Sequence, residues 1–146
     1  VKVSATSGAS TWVLFVGRIE KIQPGAGQWG TRQCVLHCVD DLATIARQRI
    51  SVTYAISKDV DEAISEVVSD VLTPQATAYS DNGDSLSHYG QAWEPERTVA
   101  RSAIHDICET VYGRFFVARD GTCTYLSRDD LQDSSVASSL TVEEGA

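Results

Sequence analysis

The stretch RFFVARDGTCTYLSR, residues 114–128, leaves little choice of local structure. Aromatic and β-branched residues flank Asp120–Gly121, the dipeptide that favours a type I′ turn, so two antiparallel strands are expected. Immediately before it, Val99, Ala103, Ile107 and Val111 recur at helical spacing, and Ala100, Ile104 and Cys108 widen the stripe. That pattern predicts an amphipathic helix with Pro95 in its first turn and Gly113 just past its end. A helix that must bury one side, followed at once by a hairpin, already excludes an all-β or all-α chain.

The remaining segments fit the same class. TWVLFVGRIEKI, residues 11–22, predicts one strand, with Val13, Phe15 and Ile19 on one face and Trp12, Leu14, Val16 and Ile22 on the other. PGAGQWG breaks it, and TRQCVLHCV, residues 31–39, returns as a second strand, giving a long-looped hairpin with Trp29 near its tip. Asp40 or Asp41 caps a short helix that turns Leu42, Ile45 and Ala46 inward. SVTY, residues 51–54, is a brief extended piece. Ser57 is expected to cap a longer helix, with Asp59, Asp61 and Glu62 in its first turn and Val60, Ile64, Val67, Val68, Val71 and Leu72 forming its apolar stripe. Thr73–Pro74 ends it, and residues 74–96 read as a polar loop. The expected fold is therefore α+β, with β-hairpins at both ends and three helices between them. Residues 1–11 are a linker or an edge strand, residues 12–130 the α+β domain, and residues 131–146 a small, polar, acidic tail or linker. The chain starts at Val1 and holds no methionine, which suits a piece of a longer polypeptide or a processed product.

Charge narrows the function classes. Twelve basic residues against twenty acidic ones leave a formal net charge of −8. That surface repels nucleic acid and anionic membrane. The longest apolar run, Trp12 to Val16, is too short to span a bilayer, and the first ten residues lack the apolar core of a signal peptide.

No motif announces a reaction. Cys34 and Cys38 share one strand face roughly 13 Å apart, too far to pair or to hold one metal. No C-x-x-C occurs, so four buried free thiols are expected, with a Cys108–Cys123 disulfide left open. His37 points away from both strand cysteines, and nothing clusters around His88 or His105. SDNGDS, residues 80–85, has a calcium-loop composition without the spacing, and a turn at Asn82–Gly83 suffices. Gly25, Gly27 and Gly30 match G-x-G-x-x-G, but between two strands, where no helix N-terminus awaits a phosphate. Neither G-x-S-x-G, H-E-x-x-H nor a P-loop is present. The reading is a non-catalytic module without cofactor or metal that acts through its surfaces. Trp29, with Gln28 beside it, and Tyr89 and Trp93 are the candidate interface residues, loop aromatics being effective anchors. A carbohydrate- or host-surface-binding module using these aromatics is the alternative.

One long stretch, FVGRIEKIQPGAGQWGTRQCVLHCVDDLATIARQRI, residues 15–50, resembles a pattern found in tail hub proteins of bacteriophages. That superfamily includes baseplate hubs, late-control tail proteins, siphophage tail-tip proteins and the spike base of type VI secretion. The shared features are the aromatic-x-Gly-x-Ile strand, here Phe15–Ile19, and a returning strand that ends in aspartate and leucine, here Val35 to Leu42. The passage AIHDICETVYGRFFVARDGTCTYLSR, residues 103–128, matches best, and the likeness covers about residues 12–130. The resemblance implies a virion structural protein of the phage tail, made in the host cytoplasm. It implies a homotrimer whose partners are further copies of itself and neighbouring tail proteins, with no membrane anchor. No catalytic residues come with it.

Overall fold

The computed structural model describes residues 1–25, 33–52, 55–74, 76–80, 83–89 and 93–133. The fold is α+β. It begins with β1 (Lys2–Ser7) and β2 (Ser10–Val16), paired antiparallel, then β3 (Arg18–Gly25) and β4 (Gln33–Val39), a second antiparallel pair. The short helix α1 (Asp41–Ile45) follows, then β5 (Ala55–Asp59) running directly into α2 (Val60–Val71). After β6 (Ala76–Tyr79) and β7 (Ser85–Tyr89) come α3 (Ala100–Val111), β8 (Arg114–Val117), β9 (Thr122–Leu126) and α4 (Arg128–Asp133). β5 pairs antiparallel with β7, and the C-terminal sheet has the order β6-β9-β8, with β6 parallel to β9.

The core forms where the helical stripes meet. α2 buries Val60, Ala63, Ile64, Val67 and Val68, and α3 buries Ala100, Ala103, Ile104, Ile107 and Cys108. Ile45, Ile50, Val52, Leu72 and Leu86 join them, with Cys123 and Tyr125 from β9. Val71, the last residue of α2, packs against this cluster half-buried. Val99 is half-buried as well, because it is the N-cap residue of α3 rather than part of its stripe. At α1 the cap is Asp40, whose Oδ1 accepts the Ala43 N–H at 3.1 Å, and Ile45 is fully buried while Leu42 faces outward. Asp41, also buried, is paired with Arg18 at 3.2 Å.

Several local expectations are overturned by tertiary contacts. Residues 11–22 are not one strand: the chain breaks at Gly17, and the two halves pair with different strands. A Cβ on Gly17 would run into the Val39 carbonyl oxygen and the Phe15 ring, so the corner requires glycine. Ser57 caps nothing. It lies within β5 at φ 53, and the α2 N-cap is Asp59, whose side chain makes no capping bond. Residues 74–96 are not a plain loop, since β6 and β7 lie inside them and gain their partners from β9 and β5. Pro95 does not open α3. The turn it occupies is tied to the 48–50 segment, Glu96 N–H bonding to Ile50 O at 2.8 Å and Ala100 N–H to Gln48 O at 3.0 Å. The turn at Asp120–Gly121 is not type I′. Gly121 N–H bonds to Ala118 O, which makes Arg119 and Asp120 the central pair, and the positive φ falls on Gly121 alone. That is the three-residue connection in which a left-handed glycine follows the turn. At the end of α3 the left-handed residue is Tyr112, φ 57, and Gly113 is small for a different reason: its missing Cβ leaves room for the Tyr125 ring. Regular structure continues through α4 to Asp133. There Ser127 Oγ accepts the Asp130 N–H while Asp130 Oδ2 accepts the Ser127 N–H, a reciprocal cap.

Candidate functional site

In an antiparallel pair, directly opposed residues share a face. β3 and β4 oppose Ile19 with Cys38, Ile22 with Leu36, and Pro24 with Cys34. One face of this ribbon is therefore wholly apolar. The other opposes Arg18 with Val39, Lys21 with His37, and Gln23 with Val35; there His37 Nε2 and Gln23 Oε1 stand 3.4 Å apart. Glu20 is the extra residue that keeps these two sets apart, since the register shifts between Ile19 and Lys21.

The first ribbon uses the same device. Its register shifts around Leu14, so Val3 opposes Phe15 and Ala5 opposes Trp12 on one face, while Lys2, Ser4 and Thr6 oppose Val16, Val13 and Thr11 on the other. Trp12 thus shares a face with Phe15, not with Leu14 and Val16 as simple alternation would have it. A two-residue period cannot reveal a bulge, because the inserted residue inverts the parity of all that follows.

Much of these apolar faces is left uncovered by the rest of the described chain, although Phe15 and Cys38 on them are half-buried. Ile22 is 59% exposed, Leu36 48% and Trp12 52%, whereas the helical stripes of α2 and α3 are buried almost completely. Among the described residues each ribbon has two strands, and an isolated two-stranded hairpin is marginal in water without something packed on its apolar side. Patches of this kind mark contact surfaces.

The thiols divide accordingly. Cys108 and Cys123 are buried and Cys34 is exposed, with Cys38 half-buried at the α1 end of β4, so four buried thiols is corrected to two. All four are free. Burial pushes the Cys108 thiol up to about 11, against a weaker opposing effect of the Phe115 backbone. Burial also raises Cys123 to about 11, with the Asp41 carboxylate adding to it. Neither is a nucleophile at neutral pH. Among the described residues, no group of three His, Cys, Asp or Glu side chains is placed to hold a metal ion. No helix among them is long and apolar enough to cross a membrane.

Of the candidate interface residues, Gln28 and Trp29 lie outside the described residues. Tyr89 ends β7, with its backbone opposite Ala55. Trp93 is half-buried against the core, and its Nε1 donates to Asp106 Oδ2 at 3.2 Å. A separate cleft of about 550 Å³ lies between α1, α3 and β8, floored by Ile45, Ile104, Cys108 and Phe115, with Arg101 and His105 at its rim. His105 faces Glu109 at 3.2 Å there, a pair that is ionic only when the imidazole is protonated.

The exposed ribbon face is not evident from the sequence, which gives 11–22 as one two-faced strand and places Cys34 among buried thiols. One signal was available. Residues 1–39 carry Lys2, Arg18, Lys21 and Arg32 against Glu20 alone, net +3, while residues 40–146 carry eight basic against nineteen acidic residues, net −11. Such asymmetry within one chain points to surfaces with different partners.

No protein-family model matches the chain. No curated protein matches it. Among solved structures it is similar to the crystal structure of the tail protein from Neisseria meningitidis MC58, with a TM-score of 0.63 at 18% sequence identity. The match covers 77% of this chain and 34% of the other, so the chain spans about a third of that protein's length. At this identity the likeness is one of fold.

Proposed function

We propose that the chain is a non-catalytic structural module of a phage tail, working by protein–protein assembly. The observation that carries the proposal is the uncovered apolar face of β3 and β4, where Ile19, Ile22, Leu36 and Cys34 stand in water in the single chain. Exposing that much apolar surface is unfavourable unless a partner removes it from water, at about 25 cal/mol per Å² buried. The tail-protein fold supplies the setting.

In this reading the module belongs to a tail hub or tail tip, and the intact polypeptide forms a homotrimer that also meets neighbouring tail proteins. The connection between β3 and β4 carries Gln28 and Trp29, with Trp29 as the anchor at a subunit or tube contact; Tyr89 and Trp93 are further contact candidates. Residues 12–130 form the domain, residues 1–11 supply its edge strand β1, and the segment after the domain is a tail or linker.

The test is the mass of the parent polypeptide by light scattering, wild type and Trp29→Ala. The expected result is a trimer whose assembled fraction falls in the variant while its melting temperature is unchanged. A parent that is monomeric both in solution and in particles, or that hydrolyses a substrate through residues of this segment, overturns the proposal.

A further inference from the structure

We infer that the cleft between α1, α3 and β8 is a binding site for a small apolar carboxylate, its hydrocarbon part on the cleft floor and its carboxylate at Arg101. Charge sets this cleft apart from the body around it. Residues 40–146 carry nineteen acidic side chains against eight basic ones, yet none of the residues lining the cleft is acidic. Two open grooves along α2 show the opposite character: one is lined by Glu66 and Asp70, the other by Asp61, Glu62 and Glu66.

Floor and rim come largely from one face of α3. Arg101, Ile104, His105 and Cys108 follow one another at three- and four-residue steps, and so stand on one side of the helix. Ile104 and Cys108 are buried there, while Arg101 and His105 are exposed. Ile45 of α1 and Phe115 of β8 complete the floor, and Leu42 adds an exposed apolar wall. A concave space of about 550 Å³, mostly apolar with a few polar groups at one side, has the make-up of a small-ligand site.

Most cations of this body are already engaged. Arg47 is paired with Glu20, Lys58 with Glu66, Arg97 with Glu94 and Arg128 with Asp129, and Arg49 donates to the Glu96 carbonyl oxygen. Arg119 sits in the turn between β8 and β9. Arg114 touches the cleft, but its guanidinium lies 5.8 Å from the centre of the Phe116 ring, and strand alternation puts that pair on the face of β8 opposite Phe115. Arg101 makes no ion pair with a carboxylate among the described residues, and its planar fork can donate two parallel N–H bonds to one. His105 is the second cation of the rim when protonated, and it already faces Glu109 at 3.2 Å. One free guanidinium beside a compensated pair fits a single negative charge. The second charge of a phosphate monoester would stand near Glu109 unopposed. An exposed ion pair by itself contributes little, so the apolar floor must supply much of the affinity.

Amide NMR titration of the full chain with decanoate, decanol and acetate tests the inference. Decanoate should shift the amides of Ile104, His105, Cys108 and Phe115 saturably, and leave those of Ile22 and Leu36 on the exposed ribbon face unmoved at the same concentrations. Acetate should not bind. Decanol should bind on the order of ten-fold more weakly than decanoate, the usual effect of losing a charge-assisted hydrogen bond. Arg101→Gln, at an exposed position, should lower decanoate to the affinity of decanol, and Arg101→Lys should restore part of the difference. Thermal melts check that both variants fold, and the comparison of decanoate with decanol in wild type stands without them. No saturable response to decanoate, equal affinity for decanoate and decanol, an affinity unchanged in folded Arg101→Gln, or shifts at Ile22 and Leu36 instead of the cleft overturns the inference. A response to an acetylated leucine–glutamate–leucine peptide in place of decanoate also overturns it, by making the cleft a seat for a protein segment. Each of these results leaves the assembly reading standing, because that reading rests on the ribbon face.

Discussion

Gly113→Ala is the substitution whose outcome depends most directly on the packing described above. An added Cβ at residue 113 would stand 2.5 Å from Tyr125 Cε2, 2.7 Å from its hydroxyl oxygen and 2.9 Å from Cζ. Non-bonded carbons settle at about 3.5–4.0 Å, so the ring or the backbone must move by roughly 1 Å. The ring has nowhere to go: Tyr125 is fully buried, on the central strand of the β6-β9-β8 sheet. Overpacking of this kind costs about 1–3 kcal/mol. Against it stands the smaller conformational freedom of alanine in the unfolded chain, worth about 0.4–1 kcal/mol where the native backbone tolerates it. Gly113 does not have a positive φ, so that gain applies. The net expectation is a loss of about 1–2 kcal/mol in urea unfolding, or roughly 2–8 °C in melting temperature for a chain of this size. A double-mutant cycle isolates the cause. In a Tyr125→Leu background the alanine should cost less than about 0.5 kcal/mol, since the aromatic ring is gone. In Tyr125→Phe the penalty should largely remain, because two of the three close atoms are ring carbons. A Gly113→Ala chain as stable as wild type, or an undiminished penalty in the leucine background, refutes the reasoning.

Three further outcomes can be checked on the same protein. Ile107→Ala, at a position only 3% exposed between α3 and the core, should lower stability by about 2–5 kcal/mol through the cavity it leaves, measured by urea titration. Asp40→Ala should remove the cap of α1 and cost about 1 kcal/mol, while Asp40→Asn should retain most of it, because either side-chain oxygen can accept the Ala43 N–H. Alkaline pH should destabilise the fold: the thiols of Cys108 and Cys123 are raised from 9.0 to about 11 in the native state, so the unfolded chain gives up those protons first. The stabilisation is complete below about pH 9 and is lost as pH rises toward 11, and a Cys108→Ala/Cys123→Ala chain should lose less stability over that window, read by thermal melts at fixed ionic strength.

The helices and the last hairpin were legible because their signals are local. The stripes of α2 and α3 recur at 3.6 residues whatever surrounds them, and each buries most of the residues that its period selects, Val71, Val99 and Val111 at the helix ends staying half-buried. Asp40 caps α1 through a bond spanning three residues, so its role can be read from neighbouring positions alone. The α+β class followed from these elements. Loop aromatics and charge can be counted in a sequence, but their exposure cannot.

What tertiary structure alone decided lies wherever a partner distant in the chain sets the conformation. Gly17 reads as an ordinary residue in a strand until Val39 and Phe15 close on it, and that closure splits one expected strand into two ribbons. β6 is four residues in a polar stretch, and it becomes a strand because β9, more than forty residues later, offers it a parallel edge. Gly113 is required not by its own backbone angle but by the ring of Tyr125. The bulges at Leu14 and Glu20 gather Trp12 with Phe15, and Ile19 with Ile22 and Leu36, onto exposed apolar faces. Periodicity could not reveal this, because a single inserted residue reverses the facing of every side chain beyond it, and only the pairing of two strands shows where the insertion sits.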